Sequence, residues 1–210
     1  MLYRNLAQYG QKPQAMMISC ADSRVMPETI TQSGPGELFV CRNAGNIVPM
    51  FSDINGGVSS AIEYAILALS VRDIIICGHS DCGAMKGLCC PHLLEPMPNV
   101  TSWLRHSHAA HSVVTATCPG DMPEAELVRA VAMENVLMQL DHLRTHPSVA
   151  AKLATGELSL HGWFFDIETG TVLVYDGAAQ SFCEPQEGQP IPVAVSGRPQ
   201  TRFHDIIAAE

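Results

Sequence analysis

Residues 15–24 read AMMISCADSR, an apolar run that ends in a cysteine followed by charged residues. The first six of them, Ala15–Cys20, are typical of a strand buried on both faces. Glu37–Arg42 (ELFVCR) and Asp73–Gly78 (DIIICG) have the same character. The segments between these runs are long enough to hold helices, so the pattern predicts an α/β fold with a mostly parallel sheet.

Two later apolar runs complete the predicted sheet. They are Leu158–Ile167 and Thr171–Tyr175, and only Glu168, Thr169 and Gly170 separate them. A connection this short cannot cross over a sheet, so the second run must pair antiparallel with the first. We therefore expect a central sheet of about four parallel strands plus an antiparallel edge strand, flanked by helices.

Helical patterns lie between the strands. Gly57–Ser70 is mainly apolar and long enough for a crossover helix, and another helix is expected from about Asn99. A third is predicted to begin at Asp121, with Glu124 three residues on as a capping pair, and to end at Pro147. Its apolar residues recur at helical spacing: Val128, Val131, Val136, Leu140 and Leu143.

The composition fits one compact domain. Of 210 residues, 47% are hydrophobic, enough to bury one substantial core, so we predict a single domain over residues 1–210. The tail from about residue 184 is rich in Pro, Gly and Gln and is expected to be irregular. Only 16% of residues are charged, which leaves much surface available for burial against other subunits.

Charge and cysteine content exclude several partners and environments. The net charge is −9 and no run of Lys and Arg occurs, which argues against nucleic acid or an anionic membrane surface as a partner. No stretch approaches the roughly 20 apolar residues of a membrane helix. We see no signal-peptide pattern, so the eight cysteines are expected to be reduced thiols in the cytoplasm.

Three potential metal ligands follow predicted strands. Cys20 ends the first strand, and His79 and Cys82 follow the third. In open α/β sheets, ligands gather at the carboxyl ends of strands. Two thiolates and one imidazole suit Zn²⁺, and three protein ligands leave the fourth position open, as in catalytic sites.

Other interpretations of these residues remain open on spacing alone. A cysteine at a strand end is usually a small core residue, and H-x-x-C by itself is a weak motif. A closed structural site would need a fourth ligand, which one of four other cysteines could supply. These are Cys41, Cys77, Cys89 and Cys90.

Two charged residues just beyond Cys20 favour a catalytic site. Asp22 can accept a hydrogen bond from a metal-bound water or can itself occupy the open metal position. Arg24 can keep Asp22 ionised and oriented through paired hydrogen bonds. The alternative is a surface ion pair of little energetic consequence.

Four motifs in this order resemble the β-class carbonic anhydrases, most closely the bacterial, cyanobacterial and plant branch. The resemblance spans about residues 15–177. The motifs are CADSR at Cys20–Arg24, ELFVCRNAGN at Glu37–Asn46, GHSDCGA at Gly78–Ala84 and LHGWFFD at Leu160–Asp166; MPNVTSWLR at Met97–Arg105 supports the branch.

The resemblance implies a zinc lyase that converts carbon dioxide to bicarbonate and a proton through a zinc-bound hydroxide. Cys20, His79 and Cys82 would hold one Zn²⁺ per chain, and Asp22 with Arg24 would form the orienting dyad. Asp22 would also be the fourth ligand in a closed form. We further expect Gly83 to admit substrate and donate its N–H to it. Relatives form dimers or larger homo-oligomers.

Two other functions compete with this one. The same zinc site could hydrolyse carbon disulfide or carbonyl sulfide, although no long insertion narrows the cleft. The chain could instead be a zinc-stabilised assembly protein without turnover, but such a protein would have no use for Asp22 and Arg24.

Overall fold

The computed structural model describes residues 1–52, 56–118 and 120–196. Within them lies one six-stranded sheet. Its strands are β1 (Ala15–Cys20), β2 (Leu38–Asn43), β3 (Asp73–His79), β4 (Ser159–Phe165), β5 (Val172–Asp176) and β6 (Ser181–Cys183). The spatial order is β2-β1-β3-β4-β5-β6. The first four strands in this order pair in parallel, and β5 and β6 pair antiparallel.

Helices occupy most of the connections between the strands. They are α1 (Leu2–Tyr9), α2 (Pro27–Thr31), α3 (Gly57–Leu67), α4 (Gly83–Cys89), α5 (Pro98–Leu104), α6 (His108–Thr117), α7 (Glu124–Arg144) and α8 (Pro147–Ala154). None of these helices combines the length and the apolar character needed to cross a bilayer.

The strands confirm the predicted sheet. β1 has the predicted bounds, and β2 to β5 end within two residues of theirs. The four parallel strands and the antiparallel pairing of β4 with β5 are as expected. The sixth strand was not predicted, because three residues are too few to establish an alternating pattern.

The predicted bounds of the longest helix were wrong at both ends. α7 begins at Glu124, and Pro123, with extended ψ of 142°, lies at its N-cap without a capping side chain. Asp121 is therefore outside the helix. At the other end α7 stops at Arg144, and Pro147 starts α8 instead of ending α7. Proline suits the first turn of a helix as well as the residues after one, so the residue alone does not distinguish the two.

The tail has little regular structure after β6. Residues 184–196 contain one isolated antiparallel bridge, between Val195 and Leu160 on β4. The rest of the predicted irregular tail, residues 197–210, lies outside the described residues.

The main core lies between one face of the sheet and the helices α3, α7 and α8. It takes alternate residues from β1 and β3, namely Met16 and Ile18, then Ile74 and Ile76. Burial of such aliphatic side chains stabilises the fold by about 1.5–3 kcal/mol each. From the helices it takes chiefly Ile62, Ala65, Ile66, Val136, Leu140, Leu143, Val149 and Leu153.

α7 lies very close to the sheet because two glycines face it. A Cβ on Gly78 would lie 2.7 Å from Val136 Cγ2, and one on Gly162 would lie 3.0 Å from Val136 Cγ1. The valine therefore fills a hollow that these two glycines leave on neighbouring strands β3 and β4. We call this the Val136 hollow.

A second buried cluster lies near the carboxyl ends of the parallel strands. It contains Cys20, Cys82 and Phe164 together with apolar residues of α4, α5, α6 and α7. Two of the predicted metal ligands are therefore part of a packed, mostly apolar environment.

Candidate metal centre

The structure brings the three predicted ligands together. Cys20 is the last residue of β1, His79 is the last residue of β3, and Cys82 immediately precedes α4. Because β1 and β3 are parallel neighbours, their carboxyl ends meet at one edge of the sheet. One ligand atom from each residue lies within 4.8 Å of the other two. All three residues are buried.

The donor geometry fits a tetrahedral zinc ion. The two Sγ atoms are 4.0 Å apart, and two Zn–S bonds of about 2.3 Å at the tetrahedral angle separate their sulfurs by about 3.8 Å. His79 Nδ1 lies 2.8 Å from the carbonyl oxygen of Ser80, so it carries the proton and donates it. His79 Nε2 therefore presents a lone pair, and it is buried with no hydrogen-bond partner among the described residues.

The closed-site alternative finds no support in the described residues. The group around His79 includes no fourth cysteine or histidine. Cys41, Cys77, Cys89 and Cys90, the possible additional ligands, do not join it. Three candidate ligand residues are gathered, which is compatible with the open site expected from the sequence.

The two cysteine side chains contact each other, and at 4.0 Å either Sγ can donate to the other. The contact from the Cys82 thiol is the main cause that lowers the pKa of Cys20 to about 4, and the Gly45 N–H, 3.4 Å from Cys20 Sγ, acts in the same direction. The same contact, together with burial, raises the pKa of Cys82 far above its ordinary value. A divalent cation would displace thiol protons and bind both sulfurs as thiolates.

Asp22 and Arg24 form the predicted pair. Arg24 Nε and Nη2 donate to the two carboxylate oxygens of Asp22 at 3.0 and 2.7 Å, and the Arg24 backbone N–H also donates at 3.0 Å. These bonds hold the pKa of Asp22 well below its usual range. Asp22 is not one of the residues whose ligand atoms gather with His79. Its additional role as a fourth metal ligand stays a prediction.

Asp81 holds the other side of the Arg24 guanidinium, which the sequence did not suggest. Its Oδ2 accepts from Arg24 Nη1 at 2.8 Å, and its backbone oxygen accepts from Nη2 at 3.2 Å. Asp81 has a positive φ of 52° and lies 57 residues from Arg24. The guanidinium is thus hydrogen-bonded to both carboxylates, which raise the pKa of Arg24.

Space is available beside this arrangement. A Cβ on Gly83, the first residue of α4, would meet no atom within 4 Å. A cleft of about 700 Å³ opens next to Arg24 and Asp81. Gly83 does not line this cleft, so only the open space at its own Cα bears on its predicted role in admitting substrate, which stays a prediction.

The sequence and the fold of this chain match those of known proteins. A family model described as carbonic anhydrase matches residues 15–172. A carbonic anhydrase of Pseudomonas aeruginosa is 48% identical over 198 residues, which cover 94% of this chain and 88% of that protein. A carbonic anhydrase of Synechocystis is 47% identical over 179 residues, which cover 85% of this chain but 65% of that protein.

Solved structures agree with the sequence comparison. The β-carbonic anhydrase CcaA matches with a TM-score of 0.86 at 45% identity, covering 92% of this chain and 85% of that one. A tetrameric β-carbonic anhydrase of Sordaria macrospora matches with a TM-score of 0.72 at 32% identity, covering 82% and 84%. The fold of this chain is thus that of a known class of enzymes. This chain belongs to the β-class carbonic anhydrases.

Proposed function

We propose that the chain hydrates carbon dioxide reversibly to bicarbonate and a proton, with one Zn²⁺ held by Cys20, His79 and Cys82. Two observations carry the proposal: one ligand atom each of Cys20, His79 and Cys82 lies within 4.8 Å of the other two, and His79 Nε2 is buried without a hydrogen-bond partner among the described residues. When bound at such a site, zinc acidifies water so that hydroxide is available near neutral pH; the three-histidine carbonic anhydrase site is the standard example of this effect.

The protein's own groups then orient the reaction. Asp22, kept ionised by Arg24, accepts a hydrogen bond from the attacking oxygen and aims its lone pair at carbon dioxide. Arg24 in turn is held from both sides by Asp22 and Asp81, so the carboxylate has little freedom to rotate. Gly83 leaves room for substrate at the start of α4.

The test is stopped-flow carbon dioxide hydration combined with elemental analysis. The wild-type protein should contain one zinc per chain, and removal of the zinc by a chelator should abolish hydration until zinc is restored. Cys20→Ser should lose both zinc and activity. Cys118→Ser is the matched control, since Cys118 is another free cysteine outside the group of ligands. A Cys20→Ser protein that keeps full zinc occupancy would refute the ligand assignment.

We also propose that the working form is a homo-oligomer, at least a dimer, in the cytoplasm. Helix α1 buries none of its residues within the chain and leaves Leu2, Tyr3 and Tyr9 more than half exposed. The Sordaria macrospora relative is described as tetrameric. Sedimentation velocity at micromolar concentration should give a mass of at least twice 22.6 kDa. An active species at the monomer mass would contradict the proposal.

A further inference from the structure

One peptide group, between Ala44 and Gly45, links Cys20 to Trp103, which lies 59 residues from Ala44 in the sequence. Its N–H donates to Cys20 Sγ at 3.4 Å, and its carbonyl oxygen accepts from Trp103 Nε1 at 2.9 Å. In a trans peptide the N–H and the C=O point in opposite directions. The two hydrogen bonds therefore hold the peptide plane from both ends, with the N–H directed at the sulfur.

The next peptide group of the same turn is held by buried side-chain amides of α7. Asn135 Nδ2 donates to the Gly45 carbonyl oxygen at 3.0 Å, and Asn135 Oδ1 accepts from Gln139 Nε2 at 2.8 Å. Gln139 Oε1 accepts from the Val48 N–H at 2.8 Å. Both amides are fully buried. The oxygen and the nitrogen of each side-chain amide take part in hydrogen bonds. Rotating either amide by half a turn would place an acceptor against an acceptor or a donor against a donor, so the orientation of both is fixed.

The turn has no room to adjust on its own. Gly45 has a φ of +81°, which a residue with a side chain rarely adopts. A Cβ there would lie 2.9 Å from Met85 Cε and 3.1 Å from Ala84 Cβ, both on α4. The turn is therefore confined between α4 and two side chains that donate hydrogen bonds to it, Trp103 of α5 and Asn135 of α7.

We propose that Trp103 is a positioning residue of the metal centre, acting through the Ala44–Gly45 peptide on Cys20. The indole N–H polarises the carbonyl, which strengthens the N–H that faces the sulfur. A hydrogen bond to a metal-bound thiolate fixes its orientation and withdraws charge from it, and such outer contacts tune the metal. Asn135 supports the same turn. This inference rests on the zinc site proposed above.

The test compares two tryptophan variants of the full-length protein. Trp103→Phe removes the donor and keeps an aromatic ring. Trp163→Phe is the matched control, because Trp163 Nε1 is buried without a hydrogen-bond partner in the described residues. Zinc dissociation constants come from competition with a chelator. Cobalt-substituted proteins report the sulfur directly through the thiolate-to-cobalt charge-transfer band.

Trp103→Phe should raise the zinc dissociation constant about tenfold. Loss of a contact outside the metal ligands typically costs about 10–100-fold in metal affinity, and this is the lower end of that range. The charge-transfer band of this variant should move to lower energy, because the sulfur becomes more electron-rich. Trp163→Phe should change neither quantity. If Trp103→Phe does not fold, 3-benzothienylalanine at position 103, introduced in the Trp163→Phe protein, replaces the indole N–H by sulfur with little change of shape.

The outcomes separate the two proposals. Wild-type protein that binds no zinc would refute the proposed function and this inference with it. Wild-type protein that binds zinc, with a position-103 variant equal to the control in both affinity and band energy, would overturn only the role of Trp103.

Discussion

Two buried histidines, His79 and His161, lie toward opposite ends of the parallel strands. They differ in how many of their ring nitrogens have a hydrogen-bond partner. His161 on β4 uses both ring nitrogens: Nε2 contacts Asp73 Oδ1 at 2.9 Å and Nδ1 contacts the Pro192 oxygen at 3.3 Å. His79 uses only Nδ1, toward Ser80, and its Nε2 has no partner among the described residues. Burial alone therefore does not distinguish a structural histidine from a metal ligand.

What distinguishes His79 is the unpartnered nitrogen together with its surroundings. A buried polar atom without a hydrogen bond costs about 1–3 kcal/mol. Trp163 Nε1 is also buried and unpartnered. Only around His79, within the described parts of the chain, do further cysteine, histidine or carboxylate ligand atoms gather. The two observations together indicate a site that a cation completes.

Replacing His79 is the most severe test of this comparison. His79→Gln should lose zinc and reduce carbon dioxide hydration to the rate of chelator-treated protein, since a side-chain amide is not among the usual zinc ligands. The measurements are zinc content and stopped-flow rates. Retention of one zinc per chain in this variant would show that the unpartnered nitrogen is not a ligand.

Asp22→Asn tests whether the polar groups beside His79 act in the reaction without holding the metal. Zinc content should be unchanged, and kcat should fall about 10²–10⁴-fold, as for other groups that orient or transfer protons. Undiminished hydration would contradict the role of Asp22.

The pH–rate profile of the wild type adds to this test. Since hydroxide is the attacking species, the rate should rise between about pH 7 and 9. The pKa of Asp22 is far below this interval because Arg24 binds the carboxylate, so Asp22 stays ionised throughout and its titration does not cause the rise. A flat profile over this range would be inconsistent with the proposed chemistry.

His161→Phe tests the satisfied histidine. The variant loses the bonds to Asp73 and Pro192, and the free energy of unfolding should fall by only about 1 kcal/mol, because Asp73 is 45% exposed and the pair is partly screened. Urea denaturation measures this change. Zinc content should equal that of the wild type, and a loss of zinc would remove the distinction drawn between the two histidines.

The smallest effect is expected at the ion pair of Arg129 and Asp166, which lies at the same end of the sheet as His79. Arg129 lowers the pKa of Asp166 below its ordinary value. A depressed folded-state pKa contributes stability above the unfolded-state value and loses it as the pH falls. Arg129→Met should therefore be about 0.5 kcal/mol less stable at pH 7, and the difference should shrink below about pH 4 and disappear once the pH is below the lowered pKa of Asp166. Urea denaturation over a series of pH values falling from neutral to below the pKa of Asp166 checks this, and a difference that does not shrink in acid would exclude the pair as its cause.

The sequence predicted the parts of the molecule that depend on local pattern. Apolar runs gave β1 within the observed bounds, and the position of cysteine and histidine at strand ends gave the ligand group, because parallel strands must bring those ends together. The start of α7 was wrong because the Asp121 and Glu124 pattern resembles a capping pair, whereas Pro123 holds the chain extended until Glu124.

The contacts that orient the ligands could not be predicted in the same way. Trp103 reaches Ala44 across 59 residues, and Asn135 reaches Gly45 across 90. In the sequence, Trp103 and Asn135 are ordinary members of helical patterns, and nothing local indicates which backbone group each one meets. Their partners follow only from the packing of α5 and α7 on the turn after β2.

The Val136 hollow extends the influence of the core to the metal. Val136 and Asn135 are consecutive on α7, so the height at which the valine rests on Gly78 and Gly162 also sets the reach of the Asn135 amide toward Gly45. A Cβ on either glycine would displace α7 away from the sheet. Because the helix moves as a rigid body, the Asn135 amide would move away from the turn. With zinc bound as proposed, the zinc content of the purified protein therefore also reports how closely α7 packs against β3 and β4.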